Sequence, residues 1–173
     1  MKKISFLLLG IVLVGCAHTS YITPEFESIT SSLNTPELIS NYQLRNFSYG
    51  QTWEGFGCGG VDISGSSKVC SPSYIFSTKT GNCAAYSRFA LHCLKKAGYE
   101  AWVLKVWVKP EMGGRYGGSR AVDYHYVVVF KYKDQNMWGV LDNGRLRKTL
   151  DPNSIPDPRQ GGQPFKIINI ERD

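Results

Sequence analysis

The sequence predicts one α+β domain. Helical spacing is confined to the stretch before Gly98, and strand-like runs rich in Val, Trp and Tyr follow it, an order that separates helices from an antiparallel sheet. The 173 residues are 42% hydrophobic and 20% charged, a globular balance with room for a single core. The 18 Gly and 8 Pro are scattered, and no repeat of 20 to 50 residues is visible, which excludes solenoids and propellers. Net charge is +6. Removing Lys2 and Lys3 with the leader described next leaves 18 basic against 14 acidic residues, or +4. With no basic run of five or more, nucleic acid is not an expected partner.

Lys2 and Lys3 precede an apolar run from Ile4 to Gly15. A run of about twelve residues is too short for a spanning helix and fits a signal-peptide core. It ends Leu13-Val14-Gly15-Cys16, which resembles the lipobox of bacterial lipoproteins. That resemblance implies cleavage after residue 15 and acylation of Cys16, with several acyl chains holding the protein stably on a membrane. Ala17 rather than Asp after the cysteine implies the outer membrane, facing the periplasm. The expected organisation is therefore residues 1–15 as leader, 16–23 as lipidated cysteine and linker, and 24–173 as the domain.

Glu25 to Leu33 and Pro36 to Tyr42 read as short helices, each with Pro near its start and Thr just before it, an N-cap followed by N1. Gly55 to Ser73 is Gly/Ser-rich and aperiodic, and a Cys58–Cys70 disulfide would order it in an oxidising compartment. Two free thiols are the alternative. From Cys83 the apolar positions Tyr86, Ala90, Cys93, Leu94 and Ala97 recur at three-to-four spacing, and Gly98 closes the segment, giving a helix of about fifteen residues capped by Thr80 or Asn82. Cys83 and Cys93 cannot bridge on one helix, because ten residues rise about 15 Å and a disulfide needs Cα atoms 4.4 to 6.8 Å apart. Strands are expected at Ala101 to Val108, Tyr124 to Tyr132, Met137 to Asp142 and Phe165 to Ile170. Glu111 to Arg120, with two Gly-Gly pairs, reads as a loop. No CxxC or HxxxH pair occurs, so no metal site is expected.

A cysteine opening a helix faces the positive end of the helix dipole, which favours thiolate over thiol. Cys83 has that place, and its own N–H with neighbouring donors would suit an oxyanion. The base should be His125, the one histidine on a predicted strand. His18 adjoins the lipid anchor, and His92 is rotated about 900° along the helix from Cys83, onto its opposite face. If the turn around Lys133 to Asn136 has two or four residues, paired positions sum to an odd number, and His125 and Asp142 share a face of the sheet. With 132 opposite 137, Asp142 lies diagonally beside His125. One register step closer makes them direct partners. An odd-length turn would separate them. The order Cys, His, Asp on helix, strand and next strand supplies nucleophile, base and orienting acceptor.

These segments, Thr80-Gly81-Asn82-Cys83-Ala84-Ala85-Tyr86, Leu94-Lys95-Lys96-Ala97-Gly98-Tyr99-Glu100-Ala101, His125-Tyr126-Val127-Val128-Val129 and Trp138-Gly139-Val140-Leu141-Asp142-Asn143, resemble the core of the transglutaminase-like superfamily. Within it, the chain is similar to the bacterial transglutaminase-like cysteine peptidases, and Ser71-Pro72 before the helix suits that narrower group. The resemblance covers about residues 70 to 145. It implies a papain-like fold with the nucleophile helix packed on an antiparallel sheet, Cys83 as nucleophile, His125 as general base and Asp142 as orienter. It also offers Trp53 as a site-lining aromatic, with Asn82 beside the nucleophile. The family usually has an acid directly before the cysteine and often another after it, where Asn82 and Ala84 stand here. Calcium, which some members bind partly through such acids, would lack them, so no cofactor is expected.

The function expected from sequence is a lipid-anchored thiol hydrolase acting on peptide or isopeptide bonds, with a protein or peptide as substrate. The alternatives are a non-catalytic lipoprotein that binds a peptide or cell-wall component in the same cleft, and a transamidating cross-linker. An amidase of the NlpC/P60 type ranks lower, because its Asp-Cys-Ser-Gly motif is absent.

Overall fold

The computed structural model describes residues 22–49, 71–108, 123–155, 164 and 166–171. Cys16, Trp53, Cys58, Cys70 and the Glu111 to Arg120 loop lie outside them. Among the described residues the elements run α1 (Pro24–Ser32), α2 (Pro36–Asn46), β1 (Ser48–Tyr49), α3 (Pro72–Thr78), β2 (Thr80–Gly81), α4 (Cys83–Lys96), β3 (Ala101–Val108), β4 (Asp123–Lys131), β5 (Trp138–Asp142), β6 (Arg145–Thr149) and β7 (Lys166–Glu171). The class is α+β, a helical layer on an antiparallel sheet of order β6-β5-β4-β3-β7. No helix among these residues is long and apolar enough to cross a membrane.

Each of the first two helices starts as its sequence dictates. Thr23 and Thr35 accept hydrogen bonds from the N–H groups of Phe26 and Leu38, and Pro follows at the first helical position. Helix α2 runs one turn beyond the expected Tyr42. Four elements were not expected from sequence: α3, capped by Ser71, strand β6, and the short parallel pair β1 and β2. Strand β6 follows a two-residue turn in which Asn143 and Gly144 both have positive φ (49° and 78°), the conformation that twists a hairpin correctly and that Asn-Gly tolerates best. From sequence, the expected strand simply ends at Asp142. The chain instead doubles back and adds an edge strand.

Helix α4 is the central packing element. Its buried side chains Phe89, Ala90, Cys93 and Leu94 meet Val103, Val128, Phe130 and Leu141 from one face of the sheet, Phe26, Ile39 and Phe76 from the other helices, and Phe47 just after α2. Phe89 sits edge-on to Phe47 at 4.9 Å and stacks on Tyr42 at 5.8 Å. The helix ends in a double hydrogen bond, Tyr99 N–H to Leu94 and Gly98 N–H to Lys95. The opposite face of the sheet has its own smaller core of Trp102, Leu104, Val106, Val127, Val129, Val140 and Ile155.

Helix α2 ties this layer to the hairpin. The Gln43 side chain, fully buried, donates to the Tyr86 carbonyl of α4 at 2.8 Å, and Ser40 Oγ donates to the Gly144 carbonyl at 2.6 Å. One helix thus holds both the start of α4 and the turn after Asp142.

Gly139 faces Phe130 across the β4–β5 ladder, and a Cβ there would lie 1.9 Å from the ring. Phe130 is fully buried between Tyr99 and Tyr132 and has no free direction in which to move. Gly139→Ala should therefore cost about 1–3 kcal/mol in urea unfolding; an unchanged midpoint would show that the ring is not held.

Candidate active site

Asn82 takes extended backbone geometry and accepts from the N–H groups of Ala84 and Ala85 at 3.1 and 3.2 Å through Oδ1, so α4 opens at Cys83. Tyr86 N–H bonds to the Asn82 carbonyl. Of the first-turn donors, that of Cys83 makes no hydrogen bond among the described residues, and it lies beside the sulfur it would serve. Asn82 thus stands next to the nucleophile position, as the sequence suggested, and the structure shows it as the cap of the helix.

The register explains how the imidazole arrives. Lys131 pairs with Trp138 and Val128 with Leu141, so paired positions sum to 269 and the turn from 133 to 136 has four residues. This is the first of the two expected registers, with Asp142 diagonal to His125. Along β4 the N–H groups alternate: Lys131 donates to Glu100 on the β3 side, and Tyr132 donates to Met137 on the β5 side. Even-numbered donors therefore point toward β5. The β4–β5 ladder ends at Val128, whereas β4 stays paired with β3 down to Asp123. The next even donor, Tyr126 N–H, points to the Cys83 sulfur instead. Cys83 occupies the notch where β5 has parted from β4.

By the same alternation His125 lies with Val127 and Val129 on the face turned away from α4, and its ring meets Cys83 at this notch. Nε2 is 2.7 Å from Asp142 Oδ1, which leaves Nδ1 for the hydrogen bond to the Cys83 thiol. The three side chains are buried: His125 is 6% exposed, and Cys83 and Asp142 are each 8%. Arg147 of β6 binds the other Asp142 oxygen, Oδ2. It was not among the residues expected from sequence, because its strand was not. The signal available was Asn143-Gly144, a two-residue hairpin turn that implies a following strand.

The electrostatics follow from this burial and pairing. Burial alone would push the Cys83 thiol up, but the His125 hydrogen bond and charge, with the N–H groups of Tyr126 and Ala84, outweigh it and hold the thiol below its ordinary range. Burial would likewise lower His125. The Asp142 and Cys83 hydrogen bonds and charges overcome that and push it up to about 9. Thiolate and imidazolium therefore stabilise each other. Cys93, ten residues along the same helix, is pushed up to about 12 by burial, against a weaker opposing effect of Lys96. Neither of these cysteines is in a disulfide. His92 is on the far side of the helix against Phe26, with ring centroids 5.1 Å apart, and takes no part. No three His, Cys, Asp or Glu side chains among the described residues are grouped as metal ligands.

Fold and site together define an α+β domain with buried, hydrogen-bonded Cys83, His125 and Asp142 side chains at a helix N-terminus. No protein-family model matches the chain, and a search of curated proteins finds no similar sequence. Among solved structures it is similar to Legionella pneumophila LapG, with a TM-score of 0.49 and 13% identity, over 84% of this chain and 71% of that one.

The two described histidines should titrate on opposite sides of the ordinary 6.5. His92 is lowered by burial and by Lys96, and His125 keeps its proton to about pH 9. The imidazole Cε1–H shifts measured by NMR check this. Any stability that His125 protonation lends is complete below pH 6.5 and fades as pH rises through about 9. In Cys83→Ser the His125 midpoint should fall while staying above that of His92. An unchanged midpoint would mean that the thiol contributes nothing to it.

Proposed function

We propose that the chain is a thiol hydrolase of amide bonds on a transglutaminase-like core, with Cys83 as nucleophile, His125 as general acid and base and Asp142 as its orienter. The observation that supports this most is the continuous buried hydrogen-bond path from the Cys83 sulfur through His125 to Asp142. A structural cysteine in a core is pushed toward the neutral thiol, as Cys93 is. Cys83 is pushed the other way.

In this reading the Cys83 thiolate attacks the carbonyl carbon of the scissile amide, and the oxygen takes up negative charge beside the Cys83 N–H. His125 Nδ1–H passes its proton to the departing amine as the C–N bond breaks, leaving a thioester. Water then adds to the thioester with His125 as base, and collapse releases a carboxylic acid and restores the thiolate. Asp142 keeps Nε2–H engaged so that Nδ1 faces the sulfur throughout, the part an orienting carboxylate plays in such relays. Hydrolysis is the expected resolution, since water needs no acceptor site. The Lys2-Lys3 leader and the lipobox-like Leu13 to Cys16 support a lipid-anchored protein of the bacterial envelope, with peptide or protein substrates reached from the outer membrane's periplasmic face.

p-Nitrophenyl acetate provides a test that needs no natural substrate. The protein should release a stoichiometric burst of nitrophenol, with acetyl found on the peptide containing Cys83, followed by turnover to acetate. Cys83→Ala should abolish the burst, and His125→Ala should slow it about 10²–10⁴-fold. Acetylation no faster than that of a free cysteine, and indifferent to His125→Ala, would leave a binding protein instead. Trapping of the acetyl group by added cadaverine in preference to water would make the protein a transamidase.

A further inference from the structure

We propose that Arg147 is a positioning residue of this site: from β6 its guanidinium holds the Asp142 carboxylate ionised and turned so that Oδ1 is presented to His125. The inference rests on reading the site as a thiol hydrolase.

The placement follows from register. Val140 pairs with Arg147 and Asp142 with Arg145, so Arg147 is the diagonal neighbour of Asp142 on the same face of the sheet. His125 is the diagonal neighbour on the other side. Imidazole, carboxylate and guanidinium therefore form one row across β4, β5 and β6, with Oδ1 bound to His125 Nε2 and Oδ2 to Arg147. A carboxylate free to rotate would offer either oxygen, or neither, to the ring. Bound at Oδ2 by a planar and permanently charged group, it has one oxygen left and one orientation.

Asp142 is almost fully buried, and burial favours its neutral form. A protonated Asp142 would accept only weakly from Nε2–H and would cease to support the imidazolium. Among the residues whose side chains are described, those with charge or a titratable group on this face of β4 to β6 are few. Lys131 is drawn to Trp138 at the far end, and Arg145, although directly opposite Asp142, is exposed to solvent. From α4, Cys83 reaches the carboxylate only through His125. Arg147 is the partly buried cation bound to the carboxylate itself, with 30% of its side chain exposed.

The test is the titration of Asp142 itself, followed through its ¹³Cγ shift in the full chain carrying Cys83→Ser, so that thiol chemistry does not enter. Arg147→Met should raise the Asp142 midpoint by at least about one pH unit, a tenfold change in proton affinity. The low-field Nε2–H resonance of His125 should be lost at a correspondingly higher pH. Arg147→Lys should restore most of the midpoint because it returns the charge, and Arg147→Gln should behave as Arg147→Met. An unmoved midpoint in a folded Arg147→Met protein would overturn the proposal. If that variant does not fold, equal midpoints in Arg147→Lys and Arg147→Gln would overturn it equally. Failure of the thiol-hydrolase reading would look different: Asp142 would still respond to Arg147, while Cys83 in the parent chain showed ordinary reactivity.

Discussion

A buried imidazolium is costly unless negative charge surrounds it. His125 meets that condition from two sides, with the Cys83 sulfur at one ring nitrogen and the Asp142 carboxylate at the other. The other groups of the site depend on this contact. The sulfur gains its anionic character chiefly from the imidazole, the imidazole keeps its proton because of sulfur and carboxylate, and the carboxylate is itself balanced by Arg147. Groups that ionise negative and positive alternate along the row: Cys83, His125, Asp142, Arg147.

The fold brings these groups together by interrupting regular structure at one place. If β5 had stayed paired with β4 beyond Val128, the Tyr126 N–H would have been used in the ladder and the notch would have closed. Because the strands part there, the first residue of α4 enters the gap, and a backbone donor that would otherwise complete the sheet points to the sulfur. Helix α2 fixes the distance across the gap. Gln43 holds the first turn of α4 and Ser40 holds the turn after Asp142, so the segments carrying Cys83 and Asp142 are tied to one helix. Polar groups on a helix interior are unusual. Ser40 Oγ and Gln43 Nε2 are paired because they bridge elements rather than face a core.

Much of this was legible in the sequence because it depends on local rules. The start of α4 at Cys83 follows from Asn82 as a cap and from apolar spacing, and the sharing of one face by His125 and Asp142 follows from a four-residue turn and the two-residue period of a strand. The bounds of α1, β3 and β5 differ from expectation by no more than a residue. What was missed depends on tertiary context. Strand β6, Arg-Leu-Arg-Lys-Thr, has one strand-favouring side chain, Thr149, and is held by the ladder to β5 and by its contacts with α2. Losing β6 meant losing Arg147. Helix α3 is seven residues long and rich in Ser, Tyr and Phe, so only its Ser71-Pro72 start marks it as helical. Gln43 lies beyond the helix end expected at Tyr42, and only the packing of α2 on α4 buries it.

The most direct test of the account is the pH dependence of iodoacetamide labelling, read separately on the tryptic peptides Thr80–Arg88 and Phe89–Lys95, which contain Cys83 and Cys93. Cys83 should be labelled well below the roughly pH 8.5 midpoint of a free thiol. This acid limb should disappear in His125→Ala, while native Cys93 stays unlabelled throughout. Labelling of Cys83 with an ordinary thiol midpoint, identical in the two proteins, would contradict it and leave Cys83 a core residue at the start of a helix.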